Sequence, residues 1–341
     1  MSNYSATVAS LIQQNEAREK ALPLKNPACQ SRFFLQPQPT QRVCVFFHGF
    51  TSTPHQFVPI GEALFKAGYN VLVPLLPGHG QAGDWQSKSP PPLPEHPQIY
   101  QQFALKWLRQ AQLLGSQVTV GGLSGGGTIA GWLALEQPQQ VHRSLLFAPY
   151  LSSSSKVLDL FVRLMDGYCA WNLKPGDEPL GYRGFAVAAL RVFLSLGKDI
   201  LDRTAAGAAT APLFVISSES DRAVGNEDHA ALFKSAVAKQ PRCWYNRFSR
   251  VLDIPHTMMT QAEGNQYASL LITMTKAFVE SNLTWAEVEE IGYRMTQGKT
   301  FSQVVDGLNL KSRVSPDMPA MMTLVDKRAI VLSRNPSLRP R

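Results

Sequence analysis

The sequence predicts an α/β fold in which helices cover both faces of a mostly parallel sheet. Short apolar runs alternate with segments of helical periodicity along most of the 341 residues, and this rhythm is typical of βα units. The run at 43–47 is almost continuously apolar, as expected for a strand buried on both faces of a parallel sheet. At 341 residues the chain can bury a large core, either as one domain with an insertion or as two domains. Its 44% hydrophobic and 17% charged residues are ordinary for a globular protein.

The amino-terminal half is predicted to start with a surface helix and then to alternate strands with helices. A proline-rich loop containing Gly78-His79-Gly80 interrupts it. The predicted elements are a helix at 5–20, strands at 31–35 and 43–47, a helix at 54–67, a strand at 69–73, a loop at 74–97, a helix at 98–114 and a strand at 117–120.

The carboxyl-terminal half continues with a helix from Thr128, but residues 149–210 break the alternation. This segment carries two apolar helical patterns around a turn-rich middle, which contains Trp171, Pro175, Gly176 and Pro179. The predicted elements are a strand at 141–148, helices at 157–165 and 185–196, a strand at 212–217, a helix at 226–238, a strand at 242–248 and a helix at 263–279.

The last 60 or so residues follow the final predicted helix of the alternating region. Thr284-Trp285-Ala286-Glu287 has the pattern of a capping box, which predicts the start of another helix. From Lys327 onward the chain is basic and contains no acidic residue, so we predict a loose arm there.

A G-x-S-x-G pattern, Gly122-Leu123-Ser124-Gly125-Gly126, lies between the strand at 117–120 and the helix from Thr128. In a nucleophile elbow, a serine between strand and helix exposes its hydroxyl on a strained turn. The flanking glycines allow the strand and the helix to approach closely. A plain glycine-rich turn and a phosphate cradle are the alternatives. The segment lacks the lysine of a P-loop and the acidic residue of a dinucleotide site.

A serine nucleophile needs a histidine base and a carboxylate that orients it. With a nucleophile elbow the expected chain order is Ser, then an acid, then His. Asp221 follows the strand at 212–217, with Glu219 and Asp228 as the nearest competitors. His256 follows the strand at 242–248, whereas the rival histidines are His55, His79, His96, His142 and His229, all of which lie earlier in the chain. The predicted triad is therefore Ser124, Asp221 and His256.

The tetrahedral intermediate needs two backbone amides that point at its oxygen. One should belong to Gly125, the residue after the nucleophile, and the other to Phe50, in the loop after the strand at 43–47. His48 and Gly49 would shape that loop. His79 has no partner at metal-ligand spacing such as H-E-x-x-H, so we interpret Gly78-His79-Gly80 as a structural turn and predict no metal or cofactor.

Together these motifs resemble the α/β-hydrolase superfamily. The resemblance covers roughly residues 30–280, and its first two motifs are similar to those of the carboxylesterase and monoacylglycerol-lipase branch. The motifs are Val45-Phe46-Phe47-His48-Gly49-Phe50-Thr51, Leu76-Pro77-Gly78-His79-Gly80, Gly122-Leu123-Ser124-Gly125-Gly126, Asp221 with Val224, and His256. The resemblance implies a mostly parallel sheet, a serine-esterase triad and a cap over the site. Pro255 stands before His256, where that branch often has glycine.

The resemblance divides the chain into four parts. Residues 1–29 form an amino-terminal helix and extension, 30–148 and 211–281 the α/β-hydrolase core, 149–210 an inserted helical cap, and 282–341 a carboxyl-terminal extension. We expect the cap helices to pack on each other and to face the mouth of the pocket, because the sheet already has its own helices.

The composition limits the binding partners and the cellular location that we expect for this protein. The net charge of +8 comes from scattered basic residues, so we expect no nucleic-acid partner, although the charge permits peripheral contact with an anionic membrane. No apolar run is long enough to span a bilayer, and residues 1–20 lack a secretory signal. Four cysteines without a C-x-x-C pair fit a reducing cytoplasm.

The sequence therefore predicts a cytoplasmic serine hydrolase that cleaves carboxylic esters, with acylglycerols or similar lipids as substrates. Acyl transfer or thioester hydrolysis on the same triad is the alternative within enzymes. A ligand receptor or scaffold with little turnover is the alternative outside them, because a fold alone does not fix function.

Overall fold

The structure is a computed structural model that describes residues 2–172, 179–335 and 337. In this part of the chain the strands, in chain order, are β1 (Arg32–Phe34), β2 (Arg42–Phe47), β3 (Asn70–Val73), β4 (Gln117–Leu123), β5 (Arg143–Phe147), β6 (Tyr168–Ala170), β7 (Gly184–Ala186), β8 (Leu213–Ser218) and β9 (Trp244–Phe248). Seven of them form one sheet in the order β1-β3-β2-β4-β5-β8-β9, and β6 pairs with β7 apart from it.

The helices of the described residues are α1 (Ser2–Lys20), α2 (Val58–Lys66), α3 (Pro97–Gln112), α4 (Gly125–Glu136), α5 (Lys156–Leu164), α6 (Val187–Ala205), α7 (Asn226–Val237), α8 (Ala268–Glu280), α9 (Trp285–Thr296), α10 (Phe301–Gly307), α11 (Met318–Leu324) and α12 (Lys327–Arg334).

The central sheet is parallel except at one edge. Strand β1 pairs antiparallel with β3, and every other pair in the sheet is parallel. A parallel sheet must be covered on both faces, and β2 shows how this happens. Phe46 stacks on Phe57 before α2 at a ring distance of 4.8 Å, whereas the next residue, Phe47, packs on Phe103 of α3 at 6.3 Å. Because successive side chains point to opposite faces, the two helices lie on opposite sides of the sheet. The predicted mostly parallel sheet with helices on both faces is confirmed.

Several predicted boundaries were wrong in detail. The elbow strand runs on to Leu123 and the elbow helix begins at Gly125. Helix α8 begins at Ala268 rather than at residue 263, because residues 257–267 form turns held by Asn265, whose side chain donates to Met258 O at 2.6 Å. Pro175 and Gly176 of the turn-rich middle lie outside the described residues.

The helix predicted at 185–196 begins two residues later, at Val187, because Phe185 belongs to β7. The hairpin depends on Gly184, where a Cβ would lie 2.4 Å from the Tyr168 hydroxyl and 2.6 Å from Cys169 O. Only glycine allows the two short strands to approach this closely. The helical pattern of the sequence gives no sign of this pairing.

The predicted loose arm from Lys327 is wrong over its first eight residues, which form α12. Asp326 caps this helix by accepting a hydrogen bond from Ala329 N at 2.9 Å. Ile330 is 4% exposed and packs over Gly292 of α9, where a Cβ would stand 3.0 Å from its Cδ1. Arg334 pairs with Glu290 at 2.5 Å between Nη1 and Oε2. The burial of Ile330, together with the ion pair of Arg334, therefore holds in a helix a segment whose composition suggests disorder.

Candidate active site

Ser124 lies at the sharp turn between β4 and α4. Its backbone dihedrals are φ 54° and ψ −119°, a conformation that costs a non-glycine residue energy and persists only where the surroundings enforce it. A Cβ on Gly122 would lie 2.3 Å from Gly126 C, and one on Gly126 would lie 2.0 Å from Phe47 O. The G-x-S-x-G pattern is thus required by close backbone contacts, as the sequence predicts.

Asp221 and His256 are brought together from two different loops. Asp221 follows β8 and His256 follows β9, and Asp221 Oδ2 lies 2.7 Å from His256 Nδ1. The Asp221 side chain is 0% exposed and that of His256 is 21% exposed. Burial raises the pKa of Asp221, but the hydrogen bond and charge of His256 and the amide of Ala223 more than offset it, so the pKa is lowered. Asp221 is therefore an ionised acceptor for the ring at neutral pH.

The competing acids have other partners. Glu219 forms an ion pair with Arg247, whose Nη2 lies 3.2 Å from its Oε1, and Asp228 accepts a hydrogen bond from the Ser152 hydroxyl. Among the rival histidines, His229 is fully buried and its Nε2 contacts Pro149 O at 2.8 Å. In the part of the chain that the structure describes, a hydrogen bond joins Asp221 to His256, and none joins Ser124 Oγ to the imidazole.

The loop after β2 leaves the amide of Phe50 free between two amides that are bonded. Gly49 N donates to Gln56 Oε1 at 2.8 Å and Thr51 N donates to His79 Nε2 at 3.1 Å, while the Phe50 amide has no partner among the backbone and side-chain bonds of the described residues. Gly125 is the first residue of α4, so its amide has no partner within the helix. Both amides predicted for the oxyanion are thus available.

His48 and His79 are neutral structural histidines beneath this loop. His48 Nε2 accepts from Leu76 N at 3.1 Å, and its Nδ1 lies 2.9 Å from Gly49 O. His79 repeats the arrangement with Thr51 N at Nε2 and Pro77 O at Nδ1. An Nε2 that accepts an amide must carry no proton, so each ring has its proton on Nδ1. Burial lowers the pKa of His79 to about 4, partly opposed by the Pro77 carbonyl.

Thr51 joins the loop to the segment predicted as the cap. Trp171 Nε1 donates to Thr51 Oγ1 and Tyr182 N donates to Thr51 O, both at 2.8 Å. Thr51 itself has a left-handed φ of 62°. Its hydroxyl also donates to Phe50 O at 2.7 Å. Bonds from both sides therefore hold Thr51 in an unfavourable conformation and fix the peptide next to the free Phe50 amide.

Aromatic rings from the same segment cover Phe50. Phe185 and Phe193 lie with ring centroids 5.0 and 5.2 Å from that of Phe50, and Trp171 lies 4.9 Å from Phe185. A Cβ on Gly125 would stand 2.9 Å from Phe193, so this ring also borders the second free amide. The surroundings of the two amides are apolar, which strengthens any hydrogen bond made there.

Two residues of the site went unnoticed in the sequence. Gln56 Nε2 donates to Glu263 Oε1 at 2.5 Å, and Gln56 Oε1 accepts from Gly49 N. Glu263 follows His256 on the same loop, so the pair ties the His256 loop to the Phe50 loop. Burial raises the pKa of Glu263, opposed by its bonds to Gln56 and Thr260. No local pattern marks either residue, because their contact spans 207 positions.

Two further observations concern groups that the sequence analysis considered. Within the described residues no cluster of three or more His, Cys, Asp and Glu side chains could hold a metal ion. No helix in the same residues combines the length and apolarity needed to cross a bilayer.

Comparisons with known proteins agree with this architecture. A family model described as the alpha/beta hydrolase fold matches residues 43–191. The thermostable monoacylglycerol lipase of Bacillus sp. (strain H-257) is 37% identical over 92 residues, which make up 27% of this chain and 34% of that lipase. The similarity therefore covers only about a third of that relative.

Solved structures match over a larger part of the chain. A structure of the metagenome-derived lipolytic enzymes LipS and LipT has a TM-score of 0.58 at 17% identity, covering 73% of this chain and 96% of that one. The monoacylglycerol lipase of Paleococcus ferrophilus has a TM-score of 0.55 at 17% identity, with 72% and 95% covered. A soluble variant of the Saccharomyces cerevisiae monoglyceride lipase gives 0.54 at 13% identity, with 72% and 89% covered. At these identities the likeness concerns the fold.

The strand order and the matched segment show the α/β-hydrolase fold. Residues 43–191 match the model of that fold, and a stretch of 92 residues is similar to part of a monoacylglycerol lipase.

Proposed function

We propose that this protein is a serine hydrolase that cleaves carboxylic esters through an acyl-enzyme. The observation that carries the proposal is the 2.7 Å contact between Asp221 and His256 at the sheet end where Ser124 stands on its strained turn. The partial similarity to a named monoacylglycerol lipase supports the same activity.

Each group has a role in the proposed mechanism. Asp221 accepts the Nδ1 proton of His256, which leaves Nε2 free to act as base. In the proposed reaction Ser124 Oγ attacks the acyl carbon and its proton passes to Nε2, as in other serine triads. The amides of Phe50 and Gly125 would donate to the oxyanion. The protonated ring then gives its proton to the leaving alcohol. In the second half of the reaction His256 takes a proton from water, the water attacks the acyl-enzyme, and the ring returns the proton to Ser124 Oγ as the acid leaves.

A covalent probe tests this mechanism. We expect a fluorophosphonate to label the native protein on Ser124 and to leave Ser124→Ala unlabelled. Labelling would also separate the enzyme from a receptor or scaffold on the same fold, since only an activated serine reacts. Absence of labelling in a folded native protein would contradict the assignment.

Lipid esters are the proposed substrates because the approaches to the site are apolar. Phe185 is 4% exposed and packs on Phe50. Helix α5, in the same inserted segment, leaves Val157, Leu160 and Leu164 at 78%, 56% and 71% exposure. Exposed apolar side chains in such a group are typical of surfaces that contact lipid or another apolar partner.

An ester panel tests the lipid preference. Each methylene buried in the site contributes roughly 0.8 kcal/mol, so we expect kcat/KM to rise with acyl length over short and medium chains. Phe185→Ser should flatten that rise, with a larger loss of kcat/KM for medium-chain esters than for acetate, since it also alters the apolar surroundings of Phe50. A flat profile in the native protein, or a preference for acetyl esters, would contradict the lipid proposal and leave a small-ester hydrolase.

Two other reactions remain proposals for the same site. Acyl transfer or thioester hydrolysis would use the same groups, and product analysis with an added alcohol or a thioester distinguishes them from ester hydrolysis.

A reducing cytoplasm remains our proposed location, and the four cysteines are free thiols. We keep 149–210 as the proposed cap and 282–341 as the proposed carboxyl-terminal extension.

A further inference from the structure

An open cleft of about 540 Å³ lies at the opposite end of the sheet from Ser124. Its lining includes the first residues of three neighbouring strands, Arg42 of β2, Gln117 of β4 and Arg143 of β5. Ser124 and the loop with Phe50 follow the carboxyl ends of β4 and β2. Because these strands are parallel, the cleft lies at their amino ends and the candidate active site at their carboxyl ends.

Arg143 is the buried cation of this cleft. It is 4% exposed. Nη2 donates to Ser281 O at 2.5 Å, but Nε and Nη1 have no hydrogen-bond partner in the described residues. Its guanidinium carbon stands 5.1 Å from the centre of the Phe278 ring. A buried guanidinium normally has its donors satisfied and its charge paired, so Arg143 is short of an acceptor.

A second buried polar group of the cleft is unsatisfied as well. Ser315 is 4% exposed, and its hydroxyl has no partner among the described residues. Its backbone amide donates to Ser281 Oγ at 2.9 Å, which holds this part of the carboxyl-terminal extension against the end of α8. The extension thus supplies one wall, lined by Val314, Ser315 and Pro316.

The charges around the cleft do not balance. Glu280 is its carboxylate and faces Arg42, with 3.8 Å between Oε1 and Nη1. Arg242 also lines the cleft and makes only long bonds to neutral amides, at 3.5 Å to Gln240 and 3.4 Å to Asn282. Burial, then Arg242, lowers the pKa of Arg143 to about 10. Among the described residues, two of the three guanidinium groups that line the cleft thus lack a carboxylate partner.

We propose that this cleft binds a small oxyanion, a phosphate or carboxylate group that is free or part of a larger metabolite, between Arg143, Arg242 and Ser315. Guanidinium groups match the geometry of such oxygens and form charge-assisted hydrogen bonds with them. The anion would neutralise the two unpaired arginines and accept from the unsatisfied donors. The site is independent of the proposed hydrolysis, because it lies at the other edge of the sheet.

Titration of the full-length protein with inorganic phosphate tests the proposal, with acetate as a second arm and chloride used to keep the ionic strength constant. We expect saturable binding by calorimetry and a saturable rise in Tm of about 2–4 °C. Tighter binding of phosphate would indicate a phosphorylated ligand, and tighter binding of acetate a carboxylate. The absence of saturation with both anions would overturn the proposal.

Three variants locate the site without removing the buried Arg143. Arg242→Gln should weaken binding about tenfold or more, since it removes a charged donor, and Ser315→Ala should weaken it by a smaller factor. Arg109→Gln removes the same charge from an exposed position in α3 and should bind the anion as the native protein does. Equal affinity in Arg242→Gln and Arg109→Gln would overturn the assignment, provided both variants keep the native circular dichroism spectrum.

Discussion

The carboxyl ends and the amino ends of the parallel strands, called here the carboxyl edge and the amino edge of the sheet, differ in how their buried nitrogen groups are hydrogen-bonded. At the carboxyl edge, His48 and His79 are neutral, and each ring nitrogen has a backbone partner. At the amino edge, Arg143 is a charged donor with two nitrogens, Nε and Nη1, that have no hydrogen-bond partner in the described residues. The two buried rings at the first edge are thus fully hydrogen-bonded, whereas the buried guanidinium at the second is not.

This difference shows which groups at each edge remain free to bind a ligand. The hydrogen bonds of His48 and His79 hold the Phe50 loop, and the Phe50 amide has no partner among the described residues, so it is available for an oxyanion. At the amino edge the free groups are side chains that any small anion could satisfy. The following predictions test the separation of the two edges, from the largest expected effect to the smallest.

Ser124→Ala should abolish hydrolysis almost completely, because the acyl-enzyme cannot form. Loss of such a serine costs several orders of magnitude in kcat. The measurement is turnover of a short p-nitrophenyl ester by purified protein, with the thermal unfolding midpoint as a check on folding. Comparable rates in the variant and the native protein would show that the elbow is not the site of chemistry.

Asp221→Asn should lower kcat by about 10²–10⁴-fold, because the amide no longer holds the required tautomer of His256. Matched changes at the competing acids, Asp228→Asn and Glu219→Gln, should have much smaller effects, since those side chains bond to Ser152 and Arg247 instead. If either competitor proves the more sensitive, the acid role belongs to that residue.

Trp171→Phe should lower kcat about 2–10-fold with little change in KM for a short acetate ester. The change keeps an aromatic ring next to Phe185 but removes the hydrogen bond to Thr51 Oγ1, worth ~0.5–1.5 kcal/mol, and so loosens the peptide beside the Phe50 amide. Trp85→Phe is the control, because its indole donates to Gln81 O instead. Equal effects of the two substitutions on kcat would argue against a positioning role for Trp171.

Ile330→Ala should leave kcat/KM unchanged while it lowers the free energy of unfolding by about 2–4 kcal/mol. The side chain is buried between α12 and Gly292, far along the chain from every group of the candidate site, and its loss leaves a cavity. Arg328→Ala, on an exposed position of the same helix, should change neither quantity. A fall in kcat/KM of folded Ile330→Ala would connect the extension to the active site.

Much of the fold and of the candidate site is present in local sequence signals. The alternation of apolar runs and helical periods predicts the parallel sheet, because a strand buried on both faces needs a continuous apolar run. Gly122, Ser124 and Gly126 are recognisable because a tight strand-to-helix turn restricts each position. Chain order then favours His256 over the other histidines and leaves Glu219 and Asp228 as competitors of Asp221, and the structure places Asp221 in contact with His256.

Only the tertiary structure decided the contacts that join distant segments. Gln56 and Glu263 meet across 207 positions, and Trp171 reaches Thr51 across 120, so no local pattern records either pair. The hairpin that takes Phe185 out of its predicted helix and the burial that orders α12 are likewise set by neighbours from elsewhere in the chain. Arg143, Arg242 and Ser315 are ordinary polar residues in sequence. They line one cleft because Arg143 begins β5, Arg242 lies two residues before β9, and Ser315 is held against the end of α8.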